Sequence, residues 1–314
     1  MGKKHVSKSG NDSTIADMDK KVDIGYVGSG LWRQVWKVQP RIKGVERENA
    51  VVKVMKSQHD VCPRNFDRHR RDAIVMERLT KSPHVVSIYG FCGNSVLTEF
   101  AGVTLDDYLF EGTSISNEHN RYNNKFDASG SVGSNPTNIT FKIQLALDVM
   151  KGLKAMHDDD IAHADIQSKQ FLLDPVDGIK VNDFNRCRFL PRHDTDNHVC
   201  KVKIPSAPGG KRSPEEYEMQ KIDTKIDVFS AGNILYGILT GSKPFNDLTR
   251  ADMRGNVMKG IKPKIEEIFR TVGTPDGDLA GIVDRSFEFD PEKRPSASQI
   301  ILDLEALLVK YGKR

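Results

Sequence analysis

The sequence predicts an α+β fold with two lobes, in which a small β-sheet lobe with one main helix precedes a larger, mostly helical lobe. Between residues 22 and 100, short segments rich in branched apolar residues alternate with glycine and charged turns, a pattern typical of strands. After residue 139, apolar residues recur at helical spacing instead. The chain has 314 residues, which corresponds to about two domains of ordinary size. We therefore predict a small lobe at 22–100 and a larger lobe at 101–314.

The small lobe is predicted to contain five strands and one helix. The helix, over Phe66–Leu79, follows from apolar residues at helical spacing, among them Ala73 and Met76. The strands follow from clusters of valine, isoleucine and aromatic residues bounded by glycine or charged residues. The predicted strands are Val22–Tyr26, Val35–Val38, Ala50–Met55, Val85–Tyr89 and Ser95–Phe100.

The larger lobe is predicted to hold three long helices and one pair of short strands. The strands, at Phe171–Leu173 and Ile179–Val181, flank an Asp-Pro-Val-Asp-Gly turn. The last helix has Ser296 as its expected N-cap, because a serine side chain can accept a hydrogen bond from a free N–H of the first turn. The predicted helices are Ile139–His157, Ile226–Thr240 and Ala297–Tyr311.

Two segments lack the composition of a folded core. Residues 1–21 are dominated by lysine, serine, asparagine and aspartate, and residues 111–138 by serine, asparagine, glycine, threonine and proline. Segments with so few large apolar residues cannot bury enough surface to offset the entropy lost on ordering. We therefore predict a disordered lead-in at 1–21 and a disordered insertion at 111–138.

Charge and cysteine content argue against several classes of protein. The 47 Lys and Arg residues against 43 Asp and Glu residues leave a net charge of +4, which argues against nucleic acid as a partner. The four cysteines show no Cys-x-x-Cys spacing, which favours free thiols in a reducing, cytoplasmic environment over a zinc site or a disulfide framework. A run of about 18 apolar residues, the length that a membrane helix needs, is absent, so we expect no transmembrane segment. The oligomeric state is left open.

Several short motifs carry residues suited to phosphate chemistry. Gly28-Ser29-Gly30 lies between two predicted strands, where glycine lets backbone N–H groups approach a phosphate closely. Lys53 ends the otherwise apolar run Ala50-Val51-Val52, and a lysine on such a strand needs a partner for its charge. Five later motifs each contain a charged residue: His163-Ala164-Asp165, Asp183-Phe184-Asn185, Ser213-Pro214-Glu215, Asp227-Val228-Phe229 and Arg294-Pro295.

The order and spacing of these motifs resemble the eukaryotic protein kinase domain, over about residues 22–311. The resemblance implies an ATP-dependent enzyme that transfers the γ-phosphate of ATP to a hydroxyl of a protein substrate, with Mg²⁺ or Mn²⁺ as the metal. It implies that Asp165 accepts the proton of the substrate hydroxyl and that Lys53 binds the ATP phosphates. It further implies that Asp183 binds the metal.

The same resemblance implies a nucleotide pocket. Thr98 falls just before the hinge between the lobes, and Glu99 and Ala101 fall within the hinge that bonds adenine. Asp72 falls where the family carries a helix glutamate that pairs with the strand lysine. Because aspartate is one methylene shorter, that pair must close further. The residues expected around the nucleotide are Gly28, Gly30, Val35, Ala50, Lys53, Asp72, Thr98, Glu99, Ala101 and Leu172.

Other motif residues receive structural roles from the resemblance. Glu215 and Arg294 are expected to form a buried ion pair in the larger lobe. His163 and Phe184 are expected to stack in the core, with Met76 and Ile88 completing the stack. We interpret these residues as parts of the scaffold and not as participants in the chemistry.

The sequence departs from the family pattern at several auxiliary positions. Gln167 stands where serine/threonine kinases carry a lysine, and Lys169 is the expected substitute for its charge. The second metal ligand, ordinarily asparagine, is Gln170, whose amide oxygen sits on a longer arm. Arg33 replaces the third glycine of the glycine-rich loop, and Asn185 replaces the glycine after Asp-Phe.

Three functions are compatible with this pattern. The first is an active protein kinase, favoured because Lys53, Asp165 and Asp183 are all retained. The second is a pseudokinase that binds nucleotide or partners without turnover, a possibility that Gln167 and Gln170 keep open. The third is a kinase-fold enzyme acting on a small molecule, which the Ser-Pro-Glu segment disfavours because that segment belongs to the peptide-binding lobe of the family.

Overall fold

The computed structural model describes residues 24–39, 49–111, 138–174 and 178–312. Within these residues the predicted fold class is confirmed, since a small antiparallel sheet with one long helix is followed by a mostly helical part. The predicted disordered segment 1–21 and nearly all of 111–138 lie outside the described residues. The division of the chain into two lobes at residue 100 stays a prediction.

The small sheet contains five strands: β1 (Ile24–Ser29), β2 (Arg33–Val38), β3 (Ala50–Met55), β4 (Ile88–Cys92) and β5 (Ser95–Glu99). They pair antiparallel in the order β1-β2-β3-β5-β4. The central strand is therefore β3, on which Lys53 lies opposite Val35 of β2 and Val96 of β5. A lysine in this position is held by neighbours on both sides, so its backbone is fixed.

The strand predicted over 22–26 runs on to Ser29 as β1, and its first two residues lie outside the described residues. A second predicted strand is shifted along the chain. Val85 and Val86, which were assigned to a strand over 85–89, are buried but do not belong to β4. The backbone N–H of Val86 instead donates to the Val181 carbonyl at 3.1 Å, and the Val181 N–H donates to the His84 carbonyl at 2.8 Å. These valines therefore connect the sheet to the larger part of the molecule, and β4 begins only at Ile88.

The helix of the small lobe, α1 (Pro63–Arg78), starts three residues before the predicted bound. Proline suits the first turn of a helix, because its missing N–H would have no partner there. The buried face of α1 includes Ala73, Val75 and Met76, as the apolar spacing predicts. The carboxylate of Asp72 is buried on the same helix, which brings a negative charge into the interior next to the sheet.

The larger part contains α2 (Ile139–His157), α3 (Pro214–Tyr217), α4 (Lys225–Thr240), α5 (Arg250–Met258), α6 (Pro275–Ser286) and α7 (Ala297–Tyr311). The bounds of α2 and α7 are those predicted, and α4 begins one residue earlier than predicted. Ser296 caps α7, since its Oγ accepts the N–H of Gln299 at 3.2 Å while the Gln299 side chain accepts the Ser296 N–H. No helix in the described ranges is both long and apolar enough to span a membrane.

Short strands near the junction of the two parts position the loops that carry the motifs. The predicted β-hairpin is present as β8 (Phe171–Asp174) and β9 (Gly178–Val181), while residues 175–177 of its turn lie outside the described residues. β8 also pairs with β6 (Val103–Thr104). The other short strands are β7 (Ile161–Ala162), β10 (Arg188–Phe189), β11 (Val202–Lys203) and β12 (Lys221–Ile222).

The main core surrounds α2. Side chains of α2 such as Phe141, Leu145 and Leu153 are buried, and α2 packs against both α7 and the β8–β9 hairpin. Phe171, which begins β8, and Phe184, which follows β9, are buried in the same cluster. The loops that follow β7 and β9 therefore extend from a rigid base, which is the arrangement that a precise site needs.

Candidate active site

The glycine-rich turn between β1 and β2 closes one end of the candidate site. The N–H of Gly30 donates to the Arg33 carbonyl at 3.0 Å, which tightens the turn. A Cβ added at Gly28 or Gly30 would meet no described atom within 4 Å, so one side of the turn is open. The backbone on this side of the turn is therefore not covered by side chains of the described residues.

Lys53 is buried on β3, and its ammonium group donates a hydrogen bond to the side-chain oxygen of Asn182. Asn182 directly precedes Asp183, so the lysine reaches the segment expected to bind metal. Burial lowers the pKa of Lys53, and the nearby positive charge of Arg33 also lowers it, while the carboxylate of Asp72 acts in the opposite direction. These influences place Lys53, Asp72 and Arg33 in one electrostatic cluster.

The expected pair between Lys53 and Asp72 is replaced by a different pair. The Asp72 carboxylate accepts a hydrogen bond from Arg33 Nη2 at 2.5 Å and another from the Phe184 N–H at 2.7 Å. Burial alone would raise the pKa of Asp72, but the positive charges of Arg33 and Lys53 hold it below its usual value. The aspartate is too short to draw Lys53 away from Asn182, whereas the longer arginine side chain reaches it from the glycine-rich turn.

The segment after β5 lies where the adenine hinge was predicted. Thr98 is buried, and its hydroxyl donates to the Glu99 carbonyl at 3.1 Å. The Glu99 carboxylate accepts the Ser87 N–H and the Lys180 ammonium group, each at 2.7 Å. This buried ion pair was not predicted, and it ties the hinge to β9.

The remaining residues predicted around the nucleotide lie on the elements that border the hinge. Ala101 and Ala50 are buried, whereas Val35 on β2 and Leu172 on β8 are half-buried. Gly102 has φ +80° and approaches β8 so closely that an added Cβ would lie 2.1 Å from the Leu173 carbonyl oxygen. Glycine is therefore required there for the hinge to run against β8.

Asp165 lies in the loop after β7, where its carboxylate is paired with an arginine that sequence reasoning missed. Arg212 donates to Asp165 Oδ1 through Nη2 and to the Ala164 carbonyl through Nη1 at 2.8 Å. The Asp165 side chain keeps 16% of its surface exposed. Arg212 therefore orients the carboxylate while leaving part of it accessible to a substrate.

Lys169, the expected substitute for the missing lysine charge, is paired with a carboxylate other than Asp165 in this structure. The Lys169 side chain is 63% exposed, and its ammonium group lies 3.8 Å from the Asp106 carboxylate. Lys169 lies in a short 3₁₀ turn, Ser168–Gln170. The cation paired with Asp165 is Arg212, which comes from the segment before Ser-Pro-Glu.

The loop that carries Asp165 is held by a buried carboxylate at the start of α4. Asp227 accepts the N–H of His163 at 2.7 Å and the N–H of Ala164 at 2.9 Å. Ala164 has φ +56°, a conformation that alanine adopts only when its surroundings impose it. These two hydrogen bonds therefore fix the backbone immediately before Asp165.

The two predicted metal ligands lie at the same end of the β8–β9 hairpin. Gln170 precedes β8, Asp183 follows β9, and the Asn182 N–H donates to the Gln170 carbonyl at 2.8 Å. Asp183 Oδ1 also accepts a hydrogen bond from the Asn185 side chain. Burial raises the pKa of Asp183, and the charges of Asp72 and Asp165 add to this effect. Asp183 therefore lies within electrostatic range of the candidate base.

The scaffold residues are placed as the sequence predicted. Arg294 is buried and makes two hydrogen bonds to the Glu215 carboxylate, at 2.6 and 3.2 Å. The rings of His163 and Phe184 are 5.4 Å apart between centroids, and Met76 is buried in the same core. These contacts hold the loops in place and leave the cleft to the other motif residues.

The charged residues of the cleft fit a nucleotide polyphosphate with a divalent cation. Lys53 and Arg33 offer positive charge, and Arg33 Nη1 is buried without a hydrogen-bond partner among the described residues. Asp183 and Gln170 offer carboxylate and amide oxygens, the hard ligands that Mg²⁺ prefers. Lys53 would hold the phosphates, and Asp183 and Gln170 would hold the metal.

Comparison with known proteins identifies the family to which this arrangement belongs. The sequence profile described as protein tyrosine and serine/threonine kinase matches residues 23–304. The chain is 26% identical over 275 residues to the serine/threonine-protein kinase STY46 of Arabidopsis thaliana, covering 85% of this chain and 41% of that protein.

Two further relatives show the same relationship. The chain is 32% identical over 179 residues to the serine/threonine-protein kinase STY17 of Arabidopsis thaliana, covering 55% of this chain and 29% of that protein. It is 24% identical over 252 residues to the proto-oncogene serine/threonine-protein kinase mos of Sus scrofa, covering 78% of this chain and 67% of that protein. The chain thus spans less than half the length of the two plant relatives. Since the profile covers nearly the whole chain, the chain belongs to the protein tyrosine and serine/threonine kinase family.

Proposed function

We propose that this chain is an ATP-dependent protein kinase that transfers the γ-phosphate of ATP to a hydroxyl group of a protein. The observation that supports the proposal is the closeness of Lys53 and Asp165 to the segment that carries Asp183. Lys53 donates a hydrogen bond to Asn182, the residue before Asp183. The negative charge of Asp165 contributes to raising the pKa of Asp183. A lysine for phosphate, a carboxylate for metal and a carboxylate for the acceptor hydroxyl are the groups that phosphoryl transfer requires.

In this proposal the protein acts mainly by positioning and by charge, because phosphoryl transfer asks for little covalent chemistry from the enzyme. Asp165 orients the acceptor hydroxyl and takes its proton, while Arg212 keeps the carboxylate in one orientation. Lys53 binds phosphate oxygens, and Asp183 holds the metal with Gln170. The bound metal, when present, neutralises charge on the phosphates.

The proposal also specifies the residue type that accepts the phosphate and the cellular location of the protein. The relatives named above are described as serine/threonine-protein kinases, so we propose serine or threonine of a protein as the acceptor. The cysteines Cys62, Cys92, Cys187 and Cys200 are all free thiols. This supports a reducing, cytoplasmic location for the protein.

The alternative of a pseudokinase that binds nucleotide without turnover is not favoured. This alternative was kept open because Gln167 stands in place of the family's lysine and Gln170 in place of its asparagine. Arg212 now provides the positive charge beside Asp165 that Gln167 cannot provide. Gln170 remains next to the segment that carries Asp183, where its amide oxygen is available in place of that of asparagine.

Binding of ATP with Mg²⁺ is the first expected result. At a ligand concentration of about 100 times Kd, binding to the folded state alone stabilises a protein by about 2.7 kcal/mol. We expect millimolar ATP with MgCl₂ to raise the melting temperature of this chain, and the gain to fall in Asp183→Asn, which loses the metal ligand. Asp196→Asn, which changes an exposed carboxylate that pairs with His198 on the surface, is the matched control. A melting temperature of the parent unmoved by ATP with Mg²⁺ or Mn²⁺ would contradict the proposal.

A small residue before the hinge gives a second expected result. Thr98 is buried between β3 and β4, opposite Val51 and Ile88. Replacing it with methionine fills the space behind the adenine position, so Thr98→Met should block an inhibitor with a bulky group there while sparing ATP. Thr98→Val, which keeps the side-chain volume, should bind that inhibitor as the parent does. Equal inhibitor affinity of Thr98→Met and the parent, measured by calorimetry, would show that the hinge is assigned incorrectly.

A further inference from the structure

Arg33 enters the cleft from a position that carries glycine in the family pattern. It is the first residue of β2, directly after the glycine-rich turn, and its side chain is buried. Its Nη2 lies 2.5 Å from Asp72 Oδ2 and 3.6 Å from Asp183 Oδ1. A large cation therefore stands between the helix carboxylate and the candidate metal ligand.

The two changes from the family pattern compensate each other in geometry. Asp72 is one methylene shorter than the usual glutamate, and Lys53 is directed to Asn182 instead. Arg33 carries a long side chain at a position where the family has glycine, and its guanidinium group reaches Asp72 from β2, the strand next to β3. The ion pair between a cleft cation and α1 is thus retained, with the cation moved from β3 to β2.

The Nη1 group of this arginine has no acceptor among the described residues. Arg33 Nη1 is buried and makes no hydrogen bond within the described part of the chain. An unsatisfied buried N–H on a charged group is costly, so a ligand oxygen that accepts from it would be bound favourably. Guanidinium donors suit phosphate oxygens in both charge and geometry.

We propose that Arg33, held by Asp72, is a ligand for the nucleotide phosphates and performs the α1-anchored role that the family pattern gives to the strand lysine. Lys53 binds the phosphates separately, from its contact with Asn182. The inference rests on the proposed nucleotide binding. It adds that the cation paired with α1 is Arg33 and not Lys53. It also makes Asp72 a positioning residue for Arg33 and not for Lys53.

The test is a set of binding measurements by calorimetry with the β,γ-imido analogue of ATP, in the presence of Mg²⁺, and with adenosine. Arg33→Met should weaken binding of the ATP analogue by about tenfold or more, the usual effect of losing a charge-assisted hydrogen bond. Adenosine, which has no phosphates, should bind Arg33→Met as it binds the parent. If the role of Arg33 were purely structural, Arg33→Met would weaken binding of the ATP analogue and of adenosine alike.

A double-mutant cycle tests the coupling to α1. Asp72→Asn should weaken binding of the analogue in the parent but add nothing in the Arg33→Met background, because the cation it positions is gone. In the Lys53→Met background the effect of Asp72→Asn should persist. The reverse pattern, with the effect of Asp72→Asn lost only in Lys53→Met, would overturn the inference and restore the family pair.

The double variant Arg33→Met/Asp72→Asn guards against loss of folding. Arg33→Met alone leaves the Asp72 carboxylate buried without its partner, whereas the double variant removes both charges. We expect it to melt near the parent and still to bind the ATP analogue at least about tenfold more weakly than the parent. Parent-like binding by this variant overturns the inference alone. A parent that binds neither the analogue nor adenosine overturns the proposed function as well.

Discussion

Asp165→Asn should lower kcat by about 10²- to 10⁴-fold, the usual contribution of a group that accepts a proton in the reaction. Asparagine keeps the size of the side chain and an oxygen that can accept from Arg212, but it cannot act as a base. The substitution leaves Lys53, Arg33 and Asp183 unchanged, so the Kd for ATP should change little. Steady-state kinetics and calorimetry on the same preparation separate the two quantities.

The control for this substitution is a carboxylate of the same segment that has no role in the cleft. Asp159 precedes β7 and pairs with Arg78 at 3.2 Å on the surface. Asp159→Asn should therefore leave kcat within about twofold of the parent, a change of less than about 0.5 kcal/mol in barrier. Equal kcat for Asp165→Asn and the parent would show that Asp165 is not the base.

Arg294→Met should destabilise the fold by about 3–5 kcal/mol, the usual cost of removing one partner of a buried ion pair. The Arg294 side chain has no exposed surface, and its guanidinium group donates to the Glu215 carboxylate. It also donates to the carbonyls of Lys225, Glu288 and Phe289, at 2.8, 2.8 and 3.2 Å. Methionine fills much of the volume but leaves the Glu215 charge and three carbonyls without their donor. Urea unfolding measures the change.

An exposed ion pair provides the comparison. Arg285 lies 2.9 Å from Asp303, but both side chains are largely accessible to water. Arg285→Met should therefore cost less than about 1 kcal/mol, as exposed pairs usually do. If Arg294→Met costs no more than Arg285→Met, the buried pair is not a main determinant of stability in this part of the molecule.

Secondary structure was predictable wherever the pattern is local. The apolar spacing of α2 and α7 determines which face is buried, and Ser296 marks the start of α7, so their bounds were predicted correctly. The strand over 85–89 was misplaced because Val85 and Val86 are apolar for another reason. They lie against Val181, far along the chain, and no local pattern reveals such a partner.

In the candidate site, too, the sequence could not reveal contacts between residues that are distant along the chain. Motif order selected Lys53, Asp165 and Asp183 as candidates, but it could not reveal which charges pair. Arg33 and Asp72 are 39 residues apart, and Arg212 and Asp165 are 47 residues apart. The only sequence signals were an arginine at a glycine position and a missing lysine beside the base, each of which leaves a charge to be balanced. The fold decides which residue balances it.

The most direct test of the proposed activity measures which phosphate of labelled ATP is transferred to protein. The chain is incubated with Mg²⁺, a mixture of protein substrates, and ATP labelled either on the γ-phosphate or on the α-phosphate. The account predicts that label from the γ position, and not from the α position, is recovered on serine or threonine of protein, and that Asp165→Asn transfers none above background. Binding of ATP by the parent, with γ-label on protein no greater than for Asp165→Asn, would contradict the account and indicate a pseudokinase.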